Sequence, residues 1–227
     1  MTRSVAIAPV LEAVIRALRL CGVAAALCFS GVAAAQQPEP RPGPEAGEDA
    51  RAEGAETTQP SGEPGPQTIE ERLDALFTQL RDSEGPKAAG AAHGIQNLWS
   101  QSGSDSMDFL LGRGREALDA EDYDKAVEHF TALVTLDPDF AEGWNMRATA
   151  YFLNDELWLS MADIQRTLAL EPRHFGALSG MAAIFSRIGA EDAALAAARA
   201  ALAVNPHLEQ ARELEKTLAP KVDGRDI

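Results

Sequence analysis

Between residues 107 and 208, apolar residues of matching size recur every 34 positions. The segments 107–140, 141–174 and 175–208 align without gaps, with mostly large apolar residues at positions 4, 11, 24 and 30 and small ones at positions 8 and 20. At position 4 these residues are Leu110, Trp144 and Leu178, at position 8 Gly114, Ala148 and Ala182, and at position 24 Phe130, Ile164 and Ala198. A small residue facing a bulky one lets two helices approach closely. Each segment is therefore predicted to form a pair of packed helices.

Three prolines mark the ends of these helix pairs. Pro138, Pro172 and Pro206 stand 34 residues apart and close the stretches LVTLDP, TLALEP and ALAVNP. A fixed period of this length indicates an array of helix-turn-helix units in which each unit packs on its neighbours. The predicted fold class is therefore all-α, a short α-solenoid.

The aligned positions resemble the tetratricopeptide repeat, whose pattern runs W, L, G, Y, A, F, A and P. The resemblance covers 102 residues, three consecutive units from 107 to 208. It implies a surface that binds other polypeptides, because such arrays expose an extended concave face. Two positions depart from the pattern. Position 7, usually leucine, holds Arg113 and Arg147, and position 27, usually alanine, holds Leu133 and Thr167.

Shorter helical segments flank the three repeats. Thr68 and Glu71 have the spacing of a capping box, and the apolar stripe that follows, from Ile69 to Leu80, predicts one helix. With a second helix up to Trp99, residues 68–106 are predicted to form a degenerate helical pair that packs on the first repeat. Residues 209–220 are predicted to be a capping helix and 221–227 a loose tail.

The first 35 residues have the composition of a secretory signal. Arg3, Arg16 and Arg19 precede an apolar run that ends in Ala33-Ala34-Ala35, which predicts cleavage after Ala35. An uncleaved membrane anchor is the alternative, although the run of about 15 residues is short for a spanning helix. Both cysteines of the chain, Cys21 and Cys28, lie within this segment, so the cleaved chain would contain no thiol.

Residues 36–67 are predicted to be a disordered linker. Seven prolines and seven acidic residues fall within these 32 positions, with no Leu, Ile, Val or aromatic residue. Such a segment cannot bury enough apolar surface to offset the entropy lost on ordering.

Charge and motifs exclude several functions. The chain has 20 Lys and Arg against 35 Asp and Glu, a formal charge of −15, which is unsuited to binding nucleic acid. The four histidines are far apart in sequence, and His174 and His207 are expected in solvated turns between repeats. There is no HExxH, CxxC or GxSxG motif. We therefore expect no catalytic, cofactor-binding or metal-binding residue, and no enzyme.

The resemblance also implies which residues face the concave surface, because positions 2, 5, 9, 12 and 13 do so in tetratricopeptide arrays. The residues expected to form a peptide-binding groove are Leu111, Arg115, Asn145, Thr149, Phe152 and Arg187. Such a groove would suit a peptide with an acidic side chain or a C-terminal carboxylate. Alternatively, the two arginines are merely solvated. The family's chaperone-binding carboxylate clamp is absent, since its positions hold Leu111, Arg115, Met146, Gly176 and Gly180.

Two functional hypotheses follow. The first is a non-catalytic adaptor in the periplasm, or otherwise exported, that binds a peptide or protein client in the groove. The second is a structural subunit of an envelope complex, held at the inner membrane by an uncleaved signal segment.

Overall fold

A computed structural model describes residues 68–226 of the chain, with side chains as far as residue 224. The predicted signal segment, residues 1–35, and the predicted linker, residues 36–67, lie outside the described residues. Within the described part the helices are, in order, α1 (Ile69–Asp82), α2 (Gly85–Trp99), α3 (Asp105–Asp119), α4 (Tyr123–Leu136), α5 (Ala141–Leu153), α6 (Leu157–Leu170), α7 (Phe175–Arg187), α8 (Glu191–Val204) and α9 (Glu209–Val222), followed by a 3₁₀ turn, Asp223–Asp226. The predicted all-α solenoid is confirmed.

Each 34-residue unit is a hairpin of two helices, α3–α4, α5–α6 and α7–α8, and consecutive hairpins pack side by side. The small residues at position 8, Gly114, Ala148 and Ala182, are all buried between the helices of their own unit. A Cβ atom added at Gly114 would overlap the ring of Phe130, which is itself fully buried. The predicted pairing of a small residue with a bulky one is therefore present in the first unit.

The turn inside each hairpin has the same backbone geometry. Position 15 adopts a left-handed conformation in all three units, at Glu121 (φ 59°), Asp155 (φ 64°) and Gly189 (φ 76°). Just after it, the amide of Asp122 donates to the carbonyl of Ala117, and equivalent bonds close the other two turns. This geometry ends the first helix and turns the chain back along it.

One departure from the repeat pattern, Arg147 at position 7, is explained by a buried ion pair. The guanidinium of Arg147 donates to both carboxylate oxygens of Asp163, at 2.7 and 2.9 Å, and both side chains are largely buried. The hydrogen bond to Asp163 raises the pKa of Arg147 above its usual value. The buried hydroxyl of Thr167, at position 27, also has a hydrogen-bond partner, because it donates to the backbone carbonyl of Asp163.

The C-terminal helix packs on the third repeat. Leu218 is buried there and Leu214 is partly buried. The helix runs past the predicted end at residue 220, and the segment predicted as a loose tail is helical as far as Asp226. Val222 contacts the core, and Arg199 binds both carboxylate oxygens of Asp223, which lowers the pKa of that carboxyl.

The first two helices, α1 and α2, form the N-terminal hairpin, and their placement differs from the prediction. The capping box at Thr68 and Glu71 is present. However, the apolar face of the hairpin contacts Phe175, Val204 and Leu208 of the third repeat, and the core of the first repeat contains none of its residues. The expected packing on the first repeat is wrong. Trp99, at the C-terminal end of the hairpin, packs against the turn that precedes α7.

None of the helices between residues 68 and 226 is long and apolar enough to span a bilayer.

Alanine substitutions at two glycines of α3 should have opposite effects on stability. Gly114→Ala places a methyl group against Phe130, so we expect the free energy of unfolding to fall by about 1–3 kcal/mol. Gly112, on the same helix, has open space around its Cα. Gly112→Ala should therefore raise stability by up to about 1 kcal/mol through helix propensity. Urea denaturation followed by circular dichroism measures the stability of both variants. Destabilisation of equal size would show that the contact between position 114 and Phe130 does not restrict the side chain at that position.

Candidate functional site

The first helices of the repeats, α3, α5 and α7, together with α9 at the C-terminal end, form what we call the groove face. Two pockets lie along it, one beneath the N-terminal hairpin and one between α7 and α9. We call them the covered pocket and the open pocket. Of the predicted site residues, Arg115 and Asn145 line the covered pocket and Arg187 lines the open one.

A buried polar network lies beneath the covered pocket, centred on Glu142 of α5. The carboxylate, 7 % exposed, accepts hydrogen bonds from Arg115 Nη2 at 3.1 Å, Asn145 Nδ2 at 3.2 Å and His174 Nε2 at 3.1 Å. His174 Nδ1 accepts from the amide of Ala177, so the ring proton is on Nε2 and is donated to Glu142. The network connects all three repeats and compensates the buried charge of Glu142.

The N-terminal hairpin closes this region from above. The indole of Trp99 stacks on the imidazole of His174, with ring centroids 4.2 Å apart and planes at 16°. The hydroxyl of Ser100 accepts from Arg115 at 2.8 Å. Between α2 and the groove face remains a pocket of about 390 Å³ that includes His93, Asn97 and Asn145. Glu142 and Asn145, at positions 2 and 5 of the second unit, and Arg115, at position 9 of the first, therefore lie under the hairpin.

The open pocket, of about 350 Å³, lies at the other end of the groove face. Its walls are mostly small or apolar: Ser179, Ala182, Ala183 and Ser186 of α7, and Ala211 and Leu214 of α9. Arg187 is on its rim, with its guanidinium 5.5 Å from the centre of the Phe152 ring and 2.8 Å from Asp155 Oδ1. The Ser179 hydroxyl is buried and has no hydrogen-bond partner among the described residues. The open pocket thus combines an apolar floor with a guanidinium on its rim.

The six predicted groove residues have different environments. Leu111 is 3 % exposed in the core of the first repeat, so its placement on an accessible groove is wrong. Arg115 and Asn145 lie under the hairpin, bound to Glu142. Thr149 is partly buried, and its hydroxyl donates to the carbonyl of Asn145. Arg187 is on the rim of the open pocket, and its guanidinium lies over the ring of Phe152.

Sequence reasoning missed Glu142 and misplaced His174. His174 is 3 % exposed and caps α7, so the expected solvated position is wrong. His207, the other histidine expected in a solvated turn, is partly buried and its Nε2 lies 3.0 Å from the carbonyl oxygen of Leu80. Glu142 stands at position 2 of its unit, one of the positions that faces the concave side, and this register would have identified it. Nothing in the register indicates that the N-terminal hairpin covers both residues.

Among the described residues, no three His, Cys, Asp or Glu side chains lie close enough together to hold a metal ion.

No protein-family model matches the sequence. A TPR repeat-containing protein of Rhizobium etli is 39 % identical to the chain over 155 residues, which are 68 % of this chain and 76 % of that protein. The fold is similar, at a TM-score of 0.50, to the first TPR domain of Spaghetti in complex with an HSP90 peptide, with 20 % identity over 53 % of this chain and 95 % of that one. It is also similar, again at 0.50, to the Sgt2 TPR domain of Aspergillus fumigatus, with 17 % identity over 54 % and 83 % of the two chains.

Removing the charge of Glu142 should destabilise the repeats. Glu142→Gln deprives three donors of an ionised acceptor and brings an amide N–H toward at least one of them. We expect the free energy of unfolding to fall by about 1–3 kcal/mol. Glu116→Gln is the matched control, since Glu116 is a solvent-exposed carboxylate in an ion pair with Arg113 and its loss should change stability by less than about 0.5 kcal/mol. Chemical denaturation measures the free energy of unfolding of both variants. An equal loss in the two would show that the hydrogen bonds to Glu142 do not contribute to stability.

Proposed function

Because the chain belongs to the tetratricopeptide-repeat (TPR) family, whose repeats serve as protein-interaction modules, we propose that it is a non-catalytic adaptor that binds an extended segment of a client protein at the open pocket. The observation that carries this proposal is the position of Arg187, a weakly engaged cation on the rim of an apolar pocket. A cleft with an apolar floor and a few polar groups is the usual form of a ligand-binding site.

The two arginines of the groove differ in how readily a ligand can engage them. Arg115 is tied to Glu142, and removing it would leave a buried carboxylate without its cation, which is costly. Arg187 is paired with Asp155, whose side chain is 72 % exposed, and an exposed pair of this kind contributes only about 0–1 kcal/mol. A client carboxylate can therefore replace Asp155 on Arg187 at small cost.

The chemistry of the open pocket suggests the kind of client. Arg187 suits a carboxylate, either a C-terminus or an acidic side chain. The alanines and Leu214 leave room for a small apolar side chain. The TPR domain of Spaghetti carries an HSP90 peptide. The clamp residues expected for such a ligand are absent here, so we propose a different acidic segment.

Peptide selection with a charge-matched control tests this proposal. Peptides displayed with free C-termini are selected on residues 36–227, and the recovered peptides are synthesised and titrated by fluorescence anisotropy. We expect acidic peptides whose affinity falls about tenfold or more with Arg187→Gln, because a charge-assisted hydrogen bond of roughly 1.5–3 kcal/mol is lost. Arg113→Gln removes an equally exposed arginine from α3 and should leave affinity unchanged. Equal affinity for both variants would place the client elsewhere.

We further propose that the adaptor works in the cell envelope, in the periplasm or outside it. The basic start, the short apolar run and Ala33-Ala34-Ala35 of the N-terminal segment support export. Retention of that segment as an inner-membrane anchor would instead make the chain a structural subunit of an envelope complex.

The N-terminus of the native protein distinguishes these two locations. We expect the protein released by osmotic shock to begin at Gln36. Ala35→Leu should block cleavage and keep the chain on the membrane, whereas Ala34→Leu, at the position between the two small residues, should not. Edman sequencing and fractionation provide the measurement. A membrane-bound protein that begins at Met1 would favour the anchored subunit.

A further inference from the structure

We propose that the N-terminal hairpin is a displaceable cover, and that the surface beneath it binds an amphipathic helix with an aromatic anchor. The hairpin occupies this surface within its own chain, and a partner helix of the same chemistry would displace it. The surface lies at the covered pocket, apart from Arg187, so the proposal does not depend on the client of the open pocket.

The repeats present a mixed apolar and aromatic seat for the hairpin. Phe175, Val204 and Leu208 contribute to a cluster whose other members are Leu73, Phe77 and Leu80 of α1 and the apolar side of α2. The residues of α1 recur at i, i+4 and i+7, which is the apolar stripe of an amphipathic helix. The seat therefore already holds the kind of helix that we propose as its ligand.

Trp99 is the anchor of this contact. Its ring lies 4.2 Å from the centre of His174, 5.1 Å from Phe175 and 6.0 Å from Phe77. His174 is held by Glu142 and by the Ala177 amide, bonds that involve no residue of the hairpin. The repeats thus hold the ring on which the aromatic residue stacks.

Polar contacts surround the anchor and set the orientation of the hairpin. Arg173 pairs with Asp74 and lies 4.5 Å above the Phe77 ring, and His207 Nε2 lies 3.0 Å from the carbonyl oxygen of Leu80. The Asp74 carboxylate is largely exposed, so its ion pair adds little to affinity. These contacts favour one register without locking it.

Three features make the hairpin displaceable. Most of its apolar contacts are between α1 and α2, and these contacts persist when the hairpin leaves the groove face. The connection to α3 is short and non-helical, with Gly103 in the left-handed region (φ 73°). The indole N–H of Trp99 is buried and has no hydrogen-bond partner among the described residues, which weakens the closed form.

Hydrogen exchange on residues 36–227 tests whether the hairpin opens. We expect amides of α1 and α2 to exchange about tenfold or more faster than the core amides of α5 to α8, through an opening that leaves the repeats folded. Exchange of hairpin and repeats at the same rate, through global unfolding only, would make the hairpin a permanent part of the fold and overturn the proposal.

A synthetic peptide of residues 68–101 tests the surface beneath. Trp99→Ala in the full chain should speed exchange in the hairpin about tenfold and let the labelled peptide bind at least about tenfold more tightly than to the wild-type chain. The bound peptide should protect amides at 175–178 and 204–208. Trp158→Ala, which removes a tryptophan 64 % exposed on α6, is the matched control and should behave as wild type. A released hairpin without peptide binding, or a hairpin that stays protected in Trp99→Ala, would refute the proposal.

A milder variant, which keeps Trp99 in place, controls for unfolding of the hairpin helices in Trp99→Ala. Asp74→Arg places two guanidinium groups together at an exposed position, and it should change exchange and peptide binding in the same direction by a smaller factor. The swap of Asp74→Arg with Arg173→Asp should restore the wild-type values. If the single and swapped variants behave identically, the Asp74–Arg173 ion pair does not help to hold the hairpin on the groove face.

Discussion

The close approach of two helices at one small residue is the constraint on which the rest of this structure depends. Gly114 lies against Phe130, and Ala148 and Ala182 take the same place in the following units. Interior packing at this density leaves no room for a larger side chain at position 8. Consecutive hairpins pack side by side, with α3 in contact with α5 and α5 in contact with α7.

That alignment makes the groove, and the N-terminal hairpin then divides it. A further hairpin continuing the array would have packed on the outer side of the first repeat. Instead α1 and α2 bind across the groove face, where Trp99 meets His174 and Phe175. One half of the face is covered and rests on a charge-compensated network, and the other half is open around Arg187. The two halves have different chemistry because α3, α5 and the start of α7 form the covered half, whereas α7 and α9 form the open one.

Three arginines on the first helices of the repeats have different roles. Arg147, Arg115 and Arg187 all stand on the first helix of a repeat, or at its end, yet their partners are a buried carboxylate, a buried network and an exposed carboxylate respectively. The departure at position 7 could be seen in the sequence, but its compensation by Asp163, 16 residues later, requires the two helices to be packed. Likewise, a histidine in a turn between repeats is ordinarily solvated, whereas His174 is buried, with Trp99 from another part of the chain stacked on its ring.

The sequence by itself determined the repeat unit, its length and the helix pairs. Those features depend on local periodicity and on contacts between neighbours within 34 residues, which a repeating pattern records directly. It also showed the start of α1, since the capping box of Thr68 and Glu71 is a contact over three residues. Only the tertiary structure decided where the N-terminal hairpin lies, that Leu111 is buried, and that Glu142 and His174 form one network. These depend on side chains that come together across as many as 127 positions, as His207 and Leu80 do, and no local pattern encodes a contact of that range.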